Sequence, residues 1–384
     1  MTLNPFYVAA AIYFIANFIG LISGVAHEGF EIGFNFISVS KESYVLAFAA
    51  QIFFISIIVF FYRKLSFNKK TITIGDKTGW IIFILQISYF LFSLKTGAGL
   101  AGSDFKFEST NYLNVLFVFI QVDLLFLVAA PLLKNKRIFL ANCLIYLIST
   151  LFRGWMGGVF LVTLAFLINF YPIKVSIKTF AKISIFLIFI LATIPALEAL
   201  KWGIRTEIEI IPIIEKIYND YDSSLVASAG LHVINRFQHI NNVAVLVEEQ
   251  EKYFEDYYTG KFKSYWANGF IFNGICRFFN SCGIDLNTYL VHETLDIGRN
   301  DWNVDPGVAG WGLVTGILSP LFVIFFAAAI SIPLYVSNRK FGTKGSLVIA
   351  VYSLPYLFHG WLATYINMLI VFSYVYFAHS KFKF

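Results

Sequence analysis

This chain is short of charge. Over 384 residues, Asp, Glu, Lys and Arg make up only 14%, where soluble chains carry about 25%. So few ions cannot cover a surface that faces water, which excludes an ordinary soluble domain. Cysteine is scarce too. Of the three, Cys143 falls in an apolar run, and Cys276 and Cys282 stand in GICRFFNSCG. No CxxC or His-x3-His spacing accompanies them, which argues against a metal site. A P-loop, a GxSxG elbow and an HExxH helix are all missing. So are heptads, soluble-type repeats and low-complexity tails. The formal net charge of +6 reads as loop charge that sets membrane orientation, not as a nucleic-acid surface.

What is present is grease. Hydrophobic residues reach 58% and mean hydropathy is +0.72. Phe- and Ile-rich runs recur at the length demanded by a hydrocarbon core of about 30 Å. The expected fold is an all-α polytopic membrane protein of about ten transmembrane helices with one large, mainly helical periplasmic loop. The spans fall near 5–24, 44–62, 80–94, 112–131, 138–152, 156–172, 179–198, 308–336, 346–360 and 362–378. The 138–172 block reads equally well as a pair of half-length helices. The first run, Pro5 to Gly24, lacks a basic leader and a small-residue cleavage site, and reads as a retained span. The chain then divides into 1–200 with seven spans, 201–306 as the loop, and 307–384 with three spans.

Sorting charges orients the spans. The loops after even-numbered spans hold Arg63, Lys64, Lys69, Lys70, Lys77, Lys134, Lys136, Arg137, Lys174, Lys178, Lys182, Arg339, Lys340, Lys344, Lys381 and Lys383, against one acid, Asp76. The short loops opposite hold Lys41, Lys95, Lys106 and Arg153. By the positive-inside rule both termini are expected in the cytoplasm and the 201–306 loop outside. His27, His232, His239, His292 and His359 then collect on the outer side.

Several residues there could carry chemistry. Arg153, in LFRGWMGG, and Arg205, in KWGIRTE, lie at membrane level. A charge there is costly unless it is paired, lines a cavity or binds something. Asp123, alone in span four, is a partner for one of them or a polar contact between helices. Residues 225–247 read as one amphipathic helix with His232, Arg236 and His239 on a single face, a stripe suited to an anion. The bland reading is a wet surface face. Glu207, Glu209, Glu248, Glu249, Glu251, Glu255 and Asp256 read as solvated acids. At the loop's end His292, Arg299, Asp301 and Asp305 precede glycines 307, 310, 312 and 316, which permit close approach of another helix or of a ligand. His359 either joins that cavity or caps its turn. Outside the cytoplasm, Cys276 and Cys282 would close a small structural disulfide. With no site for ATP or a nucleotide sugar, any reaction has to run on an activated substrate already at the outer face.

This layout resembles the O-antigen polymerases (Wzy family), relatives of the O-antigen ligases among multi-span lipid-dependent glycosyltransferases. The likeness rests on the many spans, an RG pair (Arg153–Gly154) ahead of a span, and a large arginine-bearing loop before the last spans. It rests also on a Gly-x-x-Gly opening the next span (Gly307, Gly310), with His292 upstream. The resemblance implies a cofactor-free, metal-independent, inverting transfer at the periplasmic face of the bacterial inner membrane. A glycan would pass from undecaprenyl pyrophosphate to a sugar hydroxyl on a second lipid-linked repeat unit, with the bilayer and a chain-length regulator as further partners and no nucleic acid. Physically, Arg153, Arg205 and Arg236 are expected to stabilise the pyrophosphate. His292, or alternatively His239, is expected as base, with Asp301 or Asp305 orienting it. A ligase using lipid A-core as acceptor is the nearest rival. A flippase would show charge deep in several spans or internal repeats, and a membrane acyltransferase would place a histidine inside the membrane on the acyl-donor side.

Overall fold

The computed structural model describes residues 2–32, 35–65, 73–100, 112–174, 230–231, 233–267, 283–293 and 304–382, with isolated positions between 176 and 215. Most of span seven (179–198) lies outside them. So do Arg205, His232, Cys276, Cys282, Arg299 and Asp301.

The described chain is overwhelmingly helical. The helices are α1 (Pro5–His27), α2 (Lys41–Lys64), α3 (Asp76–Thr96), α4 (Tyr112–Ile120), α5 (Val122–Ala129), α6 (Lys136–Phe152) and α7 (Gly157–Asn169). They continue as α8 (Ile240–Glu248), α9 (Gln250–Tyr258), α10 (Leu286–Glu293), α11 (Gly307–Val314), α12 (Ser319–Ser353) and α13 (Leu362–Phe382). Two antiparallel ribbons complete the description, β1 (Thr2–Leu3) on β4 (Ile173–Lys174) and β2 (Gly29–Ile32) on β3 (Asn35–Ser38).

Among the described residues, five helical runs are long and apolar enough to cross a membrane: α1, α2, α3, Val115–Leu132 and Gly316–Phe358. Their flanks are bare apolar surface. Phe14, Ile15, Phe18 and Ile22 on α1, Leu46, Phe53 and Phe60 on α2, and Leu321, Ile324 and Ile332 on α12 are all exposed. Water would penalise such a belt, whereas lipid does not.

The remaining apolar helices are shorter, and backbone geometry shows why. Gln121 takes a left-handed φ of 50° and separates α4 from α5. The α6–α7 pair turns over at Arg153–Met156, and α7 has only 13 residues, about 20 Å. Of the 138–172 block, α6 keeps 17 residues, and α7 is the markedly short member. Gly342, with φ 69° and ψ −155°, interrupts α12. Tyr365 Oη donates to Ala329 O at 2.9 Å, and Phe341 packs on Phe372 and Tyr376. Hence α13 runs parallel to the first part of α12, and 343–358 must return against it. That return ends in a π-helical turn (Leu354–Phe358) and a tip at His359–Trp361.

Contacts along α1 set the levels of the bundle. At its start Asn4 bonds Tyr62 at the end of α2, and β1 pairs with the segment after α7. At its other end Gly24 faces Tyr44, at the start of α2. Between them, α8 begins beside Gly20 and reaches the start of α2, where Glu248 accepts from Ser40 N at 3.0 Å and Ser40 Oγ at 2.5 Å. The 201–306 region therefore does not simply lie over the bundle; α8 packs into it.

Candidate functional site

Residues from four distant parts of the chain meet near the middle of α1. The first is His239. Of the stretch expected as one amphipathic helix, 225–247, the described residues are helical at 230–231 and 233–237, open at Gln238 and His239, and helical again from Ile240. The cause is Asn17. In a continuous helix the His239 N–H would donate to the carbonyl of Asn235, but here it donates to Asn17 Oδ1 at 3.1 Å. Asn17 in turn donates to Tyr13 O at 2.8 Å and to Phe237 O at 3.4 Å. The break separates the expected stripe. Arg236 stays exposed, while His239 is 1% exposed.

The His239 ring sits among Tyr13, Phe358 and His359, and its plane is perpendicular to that of His359 with centroids 4.2 Å apart. Neither ring nitrogen has a hydrogen-bond partner among the described residues. Burial pushes its pKa down to about 4, so the imidazole is neutral at ordinary pH. Leaving buried polar atoms unpaired costs about 1–3 kcal/mol each, and native structures rarely do so without a purpose.

Asp305 is the opposite pole. Its Oδ1 accepts from Asn287 Nδ2 at 2.5 Å, its Oδ2 accepts from Trp361 Nε1, and the same oxygen is 3.7 Å from His359 Nε2. Its backbone oxygen accepts from Asn242 Nδ2 at 2.9 Å. The side chains of His359 and Asp305 are 17% and 10% exposed. Burial raises the Asp305 carboxyl to about 7 against the two hydrogen bonds, with Asp285 adding to the rise. Arg236 lies close enough to His359 to act on it electrostatically, as does His239.

Two glycines make this convergence possible. Gly307 has φ +62°, and a Cβ there would stand 2.8 Å from His239 Nδ1. Gly360, at φ +97°, would place a Cβ 3.4 Å from the Gly307 Cα. The glycines that follow are packing positions: Gly310 lies against Pro306 and Leu246, Gly312 against Phe54, and Gly316 against Phe254.

Other expected site residues lie elsewhere. His292 is on α10, between buried and exposed. It makes no hydrogen bond among the described residues, although Asn287 of the same helix reaches Asp305. Arg153 is 4% exposed and engaged. Its two terminal nitrogens donate to Asp123 at 2.8 and 2.9 Å, Nε donates to Ser149 O at 3.2 Å, and the guanidinium lies 4.9 Å from the centre of the Tyr89 ring. Asp256 is not a solvated acid. It is 2% exposed, takes a bond from Tyr289 Oη at 2.7 Å and pairs with Lys261 at 2.6 Å, which joins α9 to α10.

Sequence reasoning missed Trp361, Asn287, Asn242, Tyr13 and Asn17. Asn17 was the most detectable, as the amide in an otherwise apolar first span. Chemically, the cluster offers a neutral buried imidazole, a second imidazole beside a carboxyl poised near neutrality, and an exposed guanidinium within electrostatic reach. No group of three metal-ligating side chains forms among the described residues. No protein-family model, no curated protein and no solved structure matches the chain.

Proposed function

We propose that the chain is a polytopic glycosyltransferase of the O-antigen polymerase type, working on polyprenyl-pyrophosphate-linked glycans at the outer face of a bacterial inner membrane. The observation that carries this reading is the meeting of His239, His359 and Asp305 within a bundle of apolar helices, with Arg236 exposed within electrostatic reach. Such a site has the parts that transfer from an activated lipid-linked sugar requires, a base and a cation, in a chain whose sequence shows no nucleotide-binding motif.

In this reading the acceptor hydroxyl gives its proton to a ring nitrogen of His239 as its oxygen bonds to the donor's anomeric carbon. The bond from that carbon to the pyrophosphate oxygen breaks on the opposite face, so the configuration inverts. The pyrophosphate departs with its electron pair and meets Arg236, with Arg205 as the further candidate. Approach of that negative charge raises the basicity of His239 as the proton has to move. Asp305 holds Trp361 and lies 3.7 Å from His359, which packs edge-on against His239. We assign the base to His239 over His292 because its burial and the neighbouring second histidine single it out. We assign Arg153 to bracing the α6–α7 hairpin, since Asp123 already matches its charge. About ten spans, with basic loops in the cytoplasm, complete the arrangement.

The test is complementation of a strain lacking the gene, read as lipopolysaccharide banding. A single repeat unit on the core in the deletion strain supports a polymerase. Bare core with polymer left on its carrier points to a ligase, and lipid-linked units retained on the cytoplasmic side point to a flippase. His239→Ala should behave as the deletion. A normal ladder from His239→Ala would overturn the assignment of the base.

A further inference from the structure

At the end of the bundle where α1 begins, two lysines converge. Asn169, at the end of α7 and 0% exposed, is the hub. Its Nδ2 donates to Ala130 O, Pro131 O and Leu133 O at 3.3, 3.1 and 3.0 Å. Lys136 Nζ donates to Asn169 Oδ1 at 2.6 Å and to Asn169 O at 2.8 Å. Lys344 Nζ donates to that same backbone oxygen at 2.8 Å. Three elements bring them there. Asn169 ends α7, Lys136 opens α6, and Lys344 follows the Gly342 reversal that returns the chain toward His359.

A cation at a helix C-terminus is ordinarily favourable, because the terminal carbonyls carry partial negative charge. That accounts for one lysine. It does not account for two ammonium groups on one carbonyl oxygen, which repel each other and have no carboxylate partner among the described residues. Asp76, the one acid in this end's loops, bonds to Asn135. Donor counting points the same way. An ammonium has three N–H groups. Lys136, whose ammonium also lies 4.3 Å from the centre of the Phe170 ring, uses two and Lys344 one. That leaves three donors close together and no carboxylate among the described residues to match the two charges. Lys134 and Arg137 are exposed beside them.

We propose that Lys136 and Lys344, clamped by Asn169, form a binding site for a phosphate group at the end of the bundle opposite the Ser40–Glu248 contact. The ligand is a phosphate ester, either the headgroup of an anionic lipid or a soluble phosphate compound. The site is separate from the histidine cluster, since the 14 helical residues 345–358, about 21 Å, lie between Lys344 and His359. It does not depend on the glycosyltransferase reading.

The test uses the purified full-length protein in phosphatidylcholine nanodiscs. Thermal stability is titrated with phosphatidylglycerol in the bilayer and, separately, with inorganic phosphate. Wild type should show a saturable rise in Tm, at least tenfold weaker in the Lys136→Gln/Lys344→Gln double variant and unchanged in Lys134→Gln. A rise with the lipid alone identifies a headgroup site, and a rise with inorganic phosphate identifies a soluble ligand. Should the double variant fold poorly, protection of Lys136 and Lys344 from acetylation is read on wild type by mass spectrometry. The proposal is overturned if neither ligand gives a saturable response and neither lysine is protected, or if the double variant responds like wild type.

Discussion

His239 carries the most stringent predictions at the scale of single residues. Its two ring nitrogens are buried without partners, so His239→Leu removes a polar burden as well as the proposed base. Stability should hold or rise by about 1 kcal/mol while polymer synthesis disappears. A large loss of Tm in this variant would mean that the imidazole is structural. His292→Ala, by contrast, should keep an ordinary ladder. The pH dependence of stability separates the two buried acids of the cluster. Between about 4 and the ordinary value of 6.5, the unfolded chain protonates His239 and the folded chain does not, so this group makes stability rise with pH. Asp305 acts in reverse. From 3.8 to about 7 the folded chain keeps a proton that the unfolded chain has lost, so its contribution falls as pH rises. In wild type these slopes oppose. His359, which burial, His239 and Arg236 hold well below its ordinary value, adds to the rise, so Asp305→Asn should steepen the climb of Tm from pH 4 to 6.5 and His239→Leu should flatten it. Scanning calorimetry from pH 4 to 7.5 checks both, and identical profiles for the two variants would refute the assignment. Gly307→Ala would place an L-residue at φ +62°, costing about 1–2 kcal/mol and pressing a methyl on the His239 ring. Activity should fall further than stability.

Among helices, the short and broken ones bring the chemistry together. Asp123 and Arg153 stood out as lone charges in separate apolar runs, with Asp123 undecided between a pairing and a polar contact. In the structure they form one bidentate pair that ties α5 to the tip of the α6–α7 hairpin. Arg153 has a 5% exposed side chain against 36% for Asp123, so the arginine bears most of the desolvation. Asp123→Asn should cost about 3 kcal/mol by stranding the guanidinium, and the Asp123→Asn/Arg153→Met double variant should recover much of that loss. A double-mutant cycle in denaturant measures the coupling. The amphipathic stripe of 225–247 was legible as periodicity, but not its interruption. That needed Asn17, more than two hundred residues away, to take the His239 N–H from the helix.

Over the whole molecule, the bundle has two chemically unlike ends. One carries Lys134, Lys136, Arg137, Lys174 and Lys344 around Asn169, and the other carries Glu248 on the start of α2. If the positive-inside rule orients the chain, a membrane-impermeant maleimide on intact cells should label Glu251→Cys and spare Lys134→Cys. The background for this test has Cys143, Cys276 and Cys282 changed to Ser. The reverse pattern would turn the molecule over and remove the histidine cluster from the outer face.

The sequence alone determined the membrane class, because a chain with 14% charge and long Phe- and Ile-rich runs has no other way to satisfy its surface. It also singled out His239, Asp305 and His359 one by one, because polar groups stand out against grease. It could not show that they meet. The reversal at Gly342 and the break at His239 leave little trace in hydropathy, which reports burial from water but not which helix lies beside which. Only the tertiary structure brought the three together, through glycines small enough for the chain segments to touch and an asparagine that redirected one hydrogen bond.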